Sequence, residues 1–247
     1  MTETTKRVLV TGSADGLGHA AATTLQKAGH RVVVHVRNRA RLDAVADLVD
    51  AGAEVVVGDL GDLTDVRRVA AQVNELGRMD AVIHNAGVSS SRRVLPVNVV
   101  APYVLTATMY RPDRLVYLSS GMHRGGRPEV SGMDWSGARA TGSYSDSKLF
   151  VTALAMAAAR LWPEVRSNAV DPGWVPTRMG GPSAPDDLRL GHLTQEWLAT
   201  SDDAEALTSG GYWHHQRRVD PHPSVGDLQF QTRLLEVLAE FTGDRWA

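Results

Sequence analysis

The residues with the clearest chemical potential are Tyr144 and Lys148, in the segment Tyr-Ser-Asp-Ser-Lys. On a helix, this spacing places the two side chains one turn apart on the same face. A phenol keeps its proton near neutral pH, and a neighbouring ammonium favours the phenolate, so such a pair can both donate and accept a proton. We predict that Lys148 lowers the pKa of Tyr144 and that the pair serves reversible carbonyl reduction.

A glycine-rich turn at residues 11–18, Thr-Gly-Ser-Ala-Asp-Gly-Leu-Gly, is the second chemical feature. A β-branched run precedes it and an alanine-rich helical pattern follows, so the glycines fall where a strand turns into a helix. Backbone N–H groups at such a helix start favour an anionic pyrophosphate. Because the chain has 23 glycines, a tight turn packed against its own helix explains the pattern equally well.

Apolar runs and helical patterns alternate along the rest of the chain, which predicts an α/β fold with a doubly wound parallel sheet. We expect about seven strands, at Arg7–Val10, Arg31–Val36, Glu54–Val57, Ala81–His84, residues 115–118, residues 166–170 and Gly211–His214. Helices are expected at residues 16–28, 41–51, 64–76, 94–109, 144–161, 186–199 and 227–241. A length of 247 residues, of which 43% are hydrophobic, suits a single domain at residues 1–247.

Charge and composition argue against several classes of protein. The formal net charge is -2 and the basic residues are dispersed, which disfavours nucleic-acid binding. Arg37, Arg39 and Arg41 form a local basic cluster that we interpret as facing a cofactor. The absence of cysteine excludes disulfides, thiol catalysis and cysteine-ligated metals. From the polar start at residues 1–6 and the lack of a long apolar run, we expect no signal peptide, no membrane span and a cytoplasmic location.

Three further motifs follow the fourth, fifth and sixth apolar runs, namely Asn85-Ala86-Gly87, Ser119-Ser120 and Pro172-Gly173. With the glycine turn and the Tyr-Lys pair, they make the chain resemble the short-chain dehydrogenase/reductase family from about residue 6 to about residue 177. This resemblance implies a Rossmann-type fold and an oxidoreductase. The long segment at residues 121–143 and the later Ser-Gly-Gly-Tyr-Trp at residues 209–213 resemble the branch that includes retinol dehydrogenases.

The resemblance implies roles for four catalytic candidates. Tyr144 is the general acid in reduction, and Lys148 tunes it and bonds the nicotinamide ribose. Ser120, rather than Ser119, polarises the carbonyl oxygen. Asn98 resembles the asparagine that anchors a proton-relay water, and a cap at a helix start is an equally good interpretation.

The resemblance also implies a dinucleotide site. The glycine turn would hold the pyrophosphate, and Asp59 would contact the adenine. The Pro-Gly loop would hold the nicotinamide carboxamide. A helix cap or a turn former is the alternative role for Asp59. The predicted cofactor-binding residues are Gly12, Ser13, Asp15, Gly16, Leu17, Gly18, Arg37, Asp59, Leu60, Asn85, Ala86, Gly87, Tyr144, Lys148, Pro172, Gly173, Val175 and Thr177. The main role implied for residues 85–87 is to stabilise the central sheet, and their second role is to line the cofactor.

The end of the second predicted strand bears on the choice of cofactor. Val36 stands where relatives that prefer NAD carry an acid, and Arg37 follows it, which favours NADP(H) over NAD(H). Asp15 opposes this choice, because many NADP-dependent relatives have a basic residue near that point. An exposed surface arginine is the alternative for Arg37.

The expected substrate walls carry large apolar side chains, namely Met122, Trp135, Trp174, Met179 and Trp197. They favour a bulky, apolar substrate, although Trp and Met line ordinary cores as often. We predict a lid at about residues 178–200. No metal site is predicted, because His214 and His215 are adjacent and would point to opposite faces of a strand.

We therefore predict an NADP(H)-dependent ketone or aldehyde reductase, or secondary alcohol dehydrogenase, acting on a small-molecule carbonyl or alcohol. Two alternatives stay open: an epimerase or dehydratase of the same fold that uses transient redox, and a non-catalytic NADP-sensing protein. The fifth helix region is short for the family, so assembly through it is doubtful and the oligomeric state is left open.

Overall fold

The computed structural model describes residues 5–246, and residues 1–4 of the polar start and residue 247 lie outside the described part. Its strands are β1 (Arg7–Val10), β2 (Arg31–Val36), β3 (Glu54–Val57), β4 (Ala81–His84), β5 (Arg114–Leu118), β6 (Arg166–Asp171), β7 (Gly211–His214) and β8 (Arg217–Arg218). Its α-helices are α1 (Gly16–Lys27), α2 (Ala46–Asp50), α3 (Leu63–Leu76), α4 (Ala101–Thr108), α5 (Tyr144–Leu161), α6 (Leu188–Thr200) and α7 (Leu228–Thr242).

All strands belong to one sheet, in the order β3-β2-β1-β4-β5-β6-β7-β8. The strands from β1 to β7 are parallel, and β8 runs antiparallel to β7. The chain builds outward from β1 to β3 and then returns to place β4 on the other side of β1. This reversal is a topological switch point, and ligands bind at the carboxyl ends of the strands there. The predicted doubly wound fold is confirmed.

Both faces of the sheet are covered, as the near-continuous valine runs predict. Successive residues of β1 belong to different hydrophobic cores. Leu9 belongs to the core that includes side chains of α3, α4, α5 and α7. Val8 and Val10 belong to the core on the opposite face, which includes side chains of α1 and α6. α5 is buried along most of its length, because the segment at residues 121–143 and α7 cover the side that the sheet does not. The Phe150 ring on α5 contacts Trp135 of the segment at residues 121–143 and Phe230 of α7.

Strand β8 was not predicted. A two-residue turn joins it to β7, and both turn residues, His215 and Gln216, have positive φ angles of 48° and 59°. These angles are typical of a type I′ turn, which usually carries Asn or Gly, so no turn signal was visible in the sequence. His215 therefore does not continue the strand: the rings of His214 and His215 stack 3.9 Å apart, and the prediction that they point to opposite faces is wrong.

Two predicted helices are divided. The segment at residues 41–51 forms a 3₁₀ helix at Arg39–Val45 followed by the short α2. The segment at residues 94–109 is helical from residue 94 and contains a π turn at Pro96–Val100, in which the Ala101 N–H donates to the Pro96 carbonyl, before α4. Pro102 has no N–H for the Asn98 carbonyl, so the regular α-helical bonding is interrupted beside it.

Candidate active site

A cleft of about 540 Å³ opens at the carboxyl ends of the strands around the switch point. Its lining contains most of the predicted cofactor residues, namely Gly12, Asp15, Gly16, Leu17, Gly18, Arg37, Asp59, Leu60, Asn85, Ala86, Gly87, Tyr144, Lys148, Pro172 and Thr177. Three others support the surrounding backbone: the Ser13 hydroxyl donates to the Val10 carbonyl, Val175 is buried, and the Gly173 N–H donates to the Asp171 carboxylate. The sequence motifs thus converge on one site.

The glycine turn leaves the start of α1 facing the cleft. Gly12 and Gly16 adopt positive φ angles of 69° and 55°, which side chains rarely allow. A Cβ atom on Gly18 would lie 2.4 Å from the Gly12 carbonyl oxygen and 2.4 Å from the Asn85 amide nitrogen. The same amide donates to the Thr11 and Gly12 carbonyls at 2.8 and 3.2 Å, so Asn85 braces the turn.

His35 also holds the turn and was missed by the sequence analysis. The Gly12 N–H donates to His35 Nδ1 at 3.1 Å, so Nε2 carries the hydrogen and donates to the Gly58 carbonyl at 2.8 Å. Burial lowers the pKa of His35, which keeps the imidazole neutral and able to accept. The ring lies at the base of the cleft and joins the glycine turn to the ends of β2 and β3.

Arg37 and Arg41 line one end of the cleft. A guanidinium nitrogen of Arg41 lies 3.3 Å from an Asp15 carboxylate oxygen, and both side chains are partly exposed. This pairing sets a guanidinium beside the Asp15 carboxylate. The end of the cleft nearest β2 therefore presents guanidinium groups.

Asp59 serves as a turn former. Its carboxylate accepts from the Gly61 N–H at 2.9 Å and pairs with Arg93, whereas the cap of α3 is Asp62. The helix-cap alternative for Asp59 is therefore wrong. Arg93 also lines the cleft, and no sequence signal connected it with Asp59, because the two residues are brought together by the fold.

Tyr144 and Lys148 occupy the other end of the cleft, at the start of α5. Ser143 and Asp146 form a reciprocal capping box that begins the helix at Tyr144. The Lys148 ammonium donates to the Leu118 carbonyl at 2.7 Å and lies 5.5 Å from the centre of the Tyr144 ring. The predicted pair thus shares one helix face at the end of β5.

Burial raises the pKa of Tyr144, with the Ser120 hydroxyl opposing and the Asp171 charge adding to the increase. The effect of Lys148 on this pKa stays a prediction. Burial lowers the pKa of Lys148 to about 8, and the Asp171 charge opposes that decrease. The lysine can consequently exchange a proton near neutral pH.

The two serines at the end of β5 differ in their surroundings. Ser119 is buried, and its hydroxyl bonds Thr152 at 2.6 Å. The Ser120 hydroxyl accepts from the Met122 N–H at 3.2 Å and lies near the Tyr144 phenol. These contacts favour Ser120, the predicted residue, as the group that meets a reacting oxygen.

Asn98 lies in the interior of the π turn, so the interpretation as a helix-start cap is wrong. Its side-chain amide exchanges two hydrogen bonds with the Val88 backbone, at 2.8 and 2.9 Å, and also donates to the Ser147 hydroxyl at 2.9 Å. A Cβ on Gly87 would lie 3.4 Å from Asn98 Oδ1 and 3.6 Å from Lys148 Nζ. Gly87 therefore keeps open the space that these two polar groups share. The proton-relay role stays a prediction.

Asp171, at the end of β6, was not singled out by the sequence analysis. Its carboxylate accepts from the Gly173 N–H at 3.1 Å and lies 3.7 Å from His214 Nδ1. This anion opposes loss of the proton from both Tyr144 and Lys148, since it raises the pKa of each. Among residues 5–246, no group of three or more acidic or histidine side chains is arranged to hold a metal ion.

The large apolar residues divide into two sets. Trp135 is buried against Phe150, and Trp197 packs edge-on against Trp213, so both belong to cores. Met122 and Trp174 are 57% and 58% exposed, and the Met179 sulfur lies 4.0 Å from the Tyr144 hydroxyl. Of these three residues, Met179 lines the cleft. The lid at residues 178–200 stays a prediction.

No helix of the described chain is long and apolar enough to cross a membrane.

The comparisons with known sequences agree on one family. The family model of the short chain dehydrogenases matches residues 6–187. The oxidoreductase AN7799 of Emericella nidulans, itself uncharacterised, is 35% identical over 252 residues, which cover 96% of this chain and 97% of that protein. A Streptomyces protein provisionally named as a daunorubicin C-13 ketoreductase is 30% identical and covers 97% of this chain and 93% of its own. Retinol dehydrogenase 14 of Mus musculus is 31% identical over 212 residues, which cover 71% of this chain and 63% of that protein.

Solved structures share the fold. A protein of unknown function from Mycobacterium paratuberculosis matches with a TM-score of 0.79 at 22% identity, over 98% of this chain and 95% of that one. A provisionally assigned short chain dehydrogenase of Shigella flexneri, complexed with NADP, matches with a TM-score of 0.69 at 23% identity, over 86% of this chain and 97% of that one. The resemblance to the family seen in the sequence is thus confirmed, and the chain belongs to the short-chain dehydrogenase family of oxidoreductases.

Proposed function

We propose that the protein is an NADP(H)-dependent oxidoreductase that reduces a ketone or aldehyde, or oxidises a secondary alcohol, of a bulky, apolar small molecule. The observation that carries this proposal is a single cleft with Arg37 and Arg41 at one end and Tyr144 and Lys148 at the other. A guanidinium suits a ribose phosphate, and a phenol beside an amine suits proton transfer. The relative named as a ketoreductase supports the same reaction class.

The residues of the cleft fit a dinucleotide. Gly18 and Gly87 lack side chains where a Cβ would meet polar groups within 3.4 Å. The N-terminus of α1 lines the same cleft, where a pyrophosphate would accept from backbone N–H groups. When bound, the nicotinamide supplies or takes up the hydride.

The proton chemistry follows from the chain's own residues. In reduction, the Ser120 hydroxyl donates a hydrogen bond to the substrate oxygen while Tyr144 gives its proton to the same atom. The substrate carbon gains the hydride, its oxygen gains the phenolic proton, and the product is an alcohol. Lys148, whose pKa is about 8, then returns a proton toward the phenolate and recovers one from solvent.

Replacing Arg37 with alanine is expected to weaken NADPH binding by about tenfold or more, because a charge-assisted hydrogen bond to the phosphate is lost. NADH binding should change little, since NADH has no such phosphate. The measurement is the fluorescence change of each reduced cofactor titrated against the purified wild type and variant. This titration tests the cofactor assignment directly.

Arg39→Ala is the matched control, because Arg39 belongs to the same exposed basic cluster but does not line the cleft. A wild type that prefers NADH would overturn the phosphate site. Binding of neither cofactor would overturn the enzyme proposal. A bulky ketone that is consumed with stoichiometric loss of NADPH supports net reduction, whereas product formation without net NADPH loss would indicate the epimerase or dehydratase alternative.

Replacing Asp171 with asparagine is expected to move the pH profile of alcohol oxidation to lower pH. The Asp171 charge raises the pKa of Tyr144 and of Lys148, so its removal makes both groups lose their protons more easily. Oxidation requires the ionised phenol and therefore reaches half of its maximal rate at a lower pH. The pH dependence of kcat/KM measures this, with Asp50→Asn at the far end of α2 as control. An unchanged profile would contradict the electrostatic role of Asp171.

A further inference from the structure

His123 is a fully buried histidine beside the reactive end of the cleft, in the 3₁₀ helix Gly121–Gly125 that follows β5. The backbone N–H of His222 donates to His123 Nε2 at 2.9 Å. Because a backbone N–H only donates, Nε2 is the acceptor nitrogen and Nδ1 carries the hydrogen. Nδ1 then donates to the Ser120 carbonyl at 2.8 Å. Both nitrogens of the ring are therefore engaged, in one defined tautomer.

These contacts hold the backbone of Ser120. Its carbonyl accepts from two groups of one residue, His123 Nδ1 at 2.8 Å and the His123 backbone N–H at 3.0 Å. Its hydroxyl oxygen accepts from the Met122 N–H, which leaves the hydroxyl hydrogen to be donated elsewhere. The His123 ring thus holds the backbone from which the Ser120 side chain projects.

The other side of the ring connects to a distant part of the chain. His222 precedes the 3₁₀ helix Pro223–Gly226, and the neighbouring Arg124 side chain donates to the Asp220 carbonyl. The imidazole also packs against the Tyr212 ring on β7, with ring centres 4.5 Å apart. A single side chain therefore connects Ser120 to the segment that follows β8.

We propose that His123 is a positioning residue that fixes Ser120 for polarising the substrate oxygen, and that it does so while anchored by the His222 backbone. This inference rests on the proposed function, because it assumes that Ser120 contacts the reacting carbonyl. Burial lowers the pKa of His123, which agrees with a neutral ring that donates from one nitrogen and accepts at the other.

Two conservative variants separate the two contacts. The amide nitrogen of His123→Asn can replace Nδ1 as the donor to Ser120, whereas the longer amide of His123→Gln reaches the position of Nε2 and can accept from His222. We expect His123→Asn to retain most of kcat and His123→Gln to lose about tenfold, the effect of one lost hydrogen bond that orients Ser120. KM and the Kd for NADPH should stay near wild type in both variants, because neither contact reaches the cofactor.

A double-mutant cycle with Ser120→Ala provides the readout that a purely structural role would not change. If His123 acts through Ser120, the double variant with His123→Gln should be no slower than Ser120→Ala alone. The inference would be overturned if the loss of kcat in the double variant equalled the product of the losses in His123→Gln and Ser120→Ala. It would also be overturned if His123→Asn, at equal Tm, had a kcat as low as that of His123→Gln. A wild type without NADPH-dependent turnover would instead overturn the proposed function, and an unaffected kcat in Ser120→Ala would remove the role of Ser120 on which the inference depends.

Discussion

Replacing Tyr144 with phenylalanine is expected to lower kcat for carbonyl reduction by about 10²- to 10⁴-fold, the usual contribution of a positioned general acid. The variant keeps the aromatic ring, whose centre lies 5.5 Å from Lys148 Nζ, and removes the hydroxyl that lies near Ser120. Cofactor affinity should therefore change little. The measurement is kcat at saturating NADPH and ketone, together with the Kd for NADPH by fluorescence.

Tyr110→Phe is the matched control, because Tyr110 is 58% exposed and follows α4 outside the cleft. It should show wild-type turnover. Retention of turnover in Tyr144→Phe would exclude the phenol as the proton donor. A protein that only senses the cofactor would show no turnover in either form and would bind NADPH equally well in both.

Replacing Gly18 with alanine is expected to destabilise the protein by about 1–3 kcal/mol and to weaken dinucleotide binding strongly. An alanine ordinarily stabilises a helix by about 1 kcal/mol relative to glycine. Whether this substitution stabilises or destabilises the protein therefore depends on the room available for the Cβ atom. Here a Cβ would lie 2.4 Å from both the Gly12 oxygen and the Asn85 amide, and the backbone must move to accept it. Thermal unfolding and NADPH titration measure the two effects.

Gly226→Ala is the control for this substitution, because a Cβ at Gly226 meets no atom within 4 Å and the residue has no positive φ angle. Its Tm and cofactor affinity should match the wild type. A Gly18→Ala variant as stable as the wild type, with unchanged NADPH affinity, would contradict the close packing between the glycine turn and residue 85.

The central parallel strands were predictable because they are buried on both faces, and most of their sequences are therefore apolar runs bounded by polar turns. β2, β3 and β4 occur where the sequence places them. Strand β8 and the division of the two helices depend on local backbone geometry, which the hydrophobic periodicity of the sequence does not show. A type I′ turn formed by His215 and Gln216 carries no glycine, and a π turn differs from an α-helix only in which carbonyl each N–H selects.

The predicted site residues belong to short motifs at strand ends, so the topology gathers them in one cleft. The residues that were missed act across long sequence distances. Arg93 reaches Asp59, Asp171 reaches Tyr144 electrostatically, and His123 reaches the backbone of residue 222. The upward shift in the pKa of Tyr144 could not be predicted either, because its main cause is burial, which the sequence alone does not show.

The π turn at Pro96–Val100 makes the position of Asn98 unusually sensitive to chain length. An α-helix advances about 100° per residue, and a π turn accommodates one residue more per turn than an α-helix does. Deletion of Val97 or Val99 would therefore remove the extra residue of this turn and rotate the chain before it by about 100° relative to α4. The Asn98 amide could then no longer face both Val88 and Ser147. The reactive end of the cleft should thus depend on the number of residues in this segment, all five of which are buried.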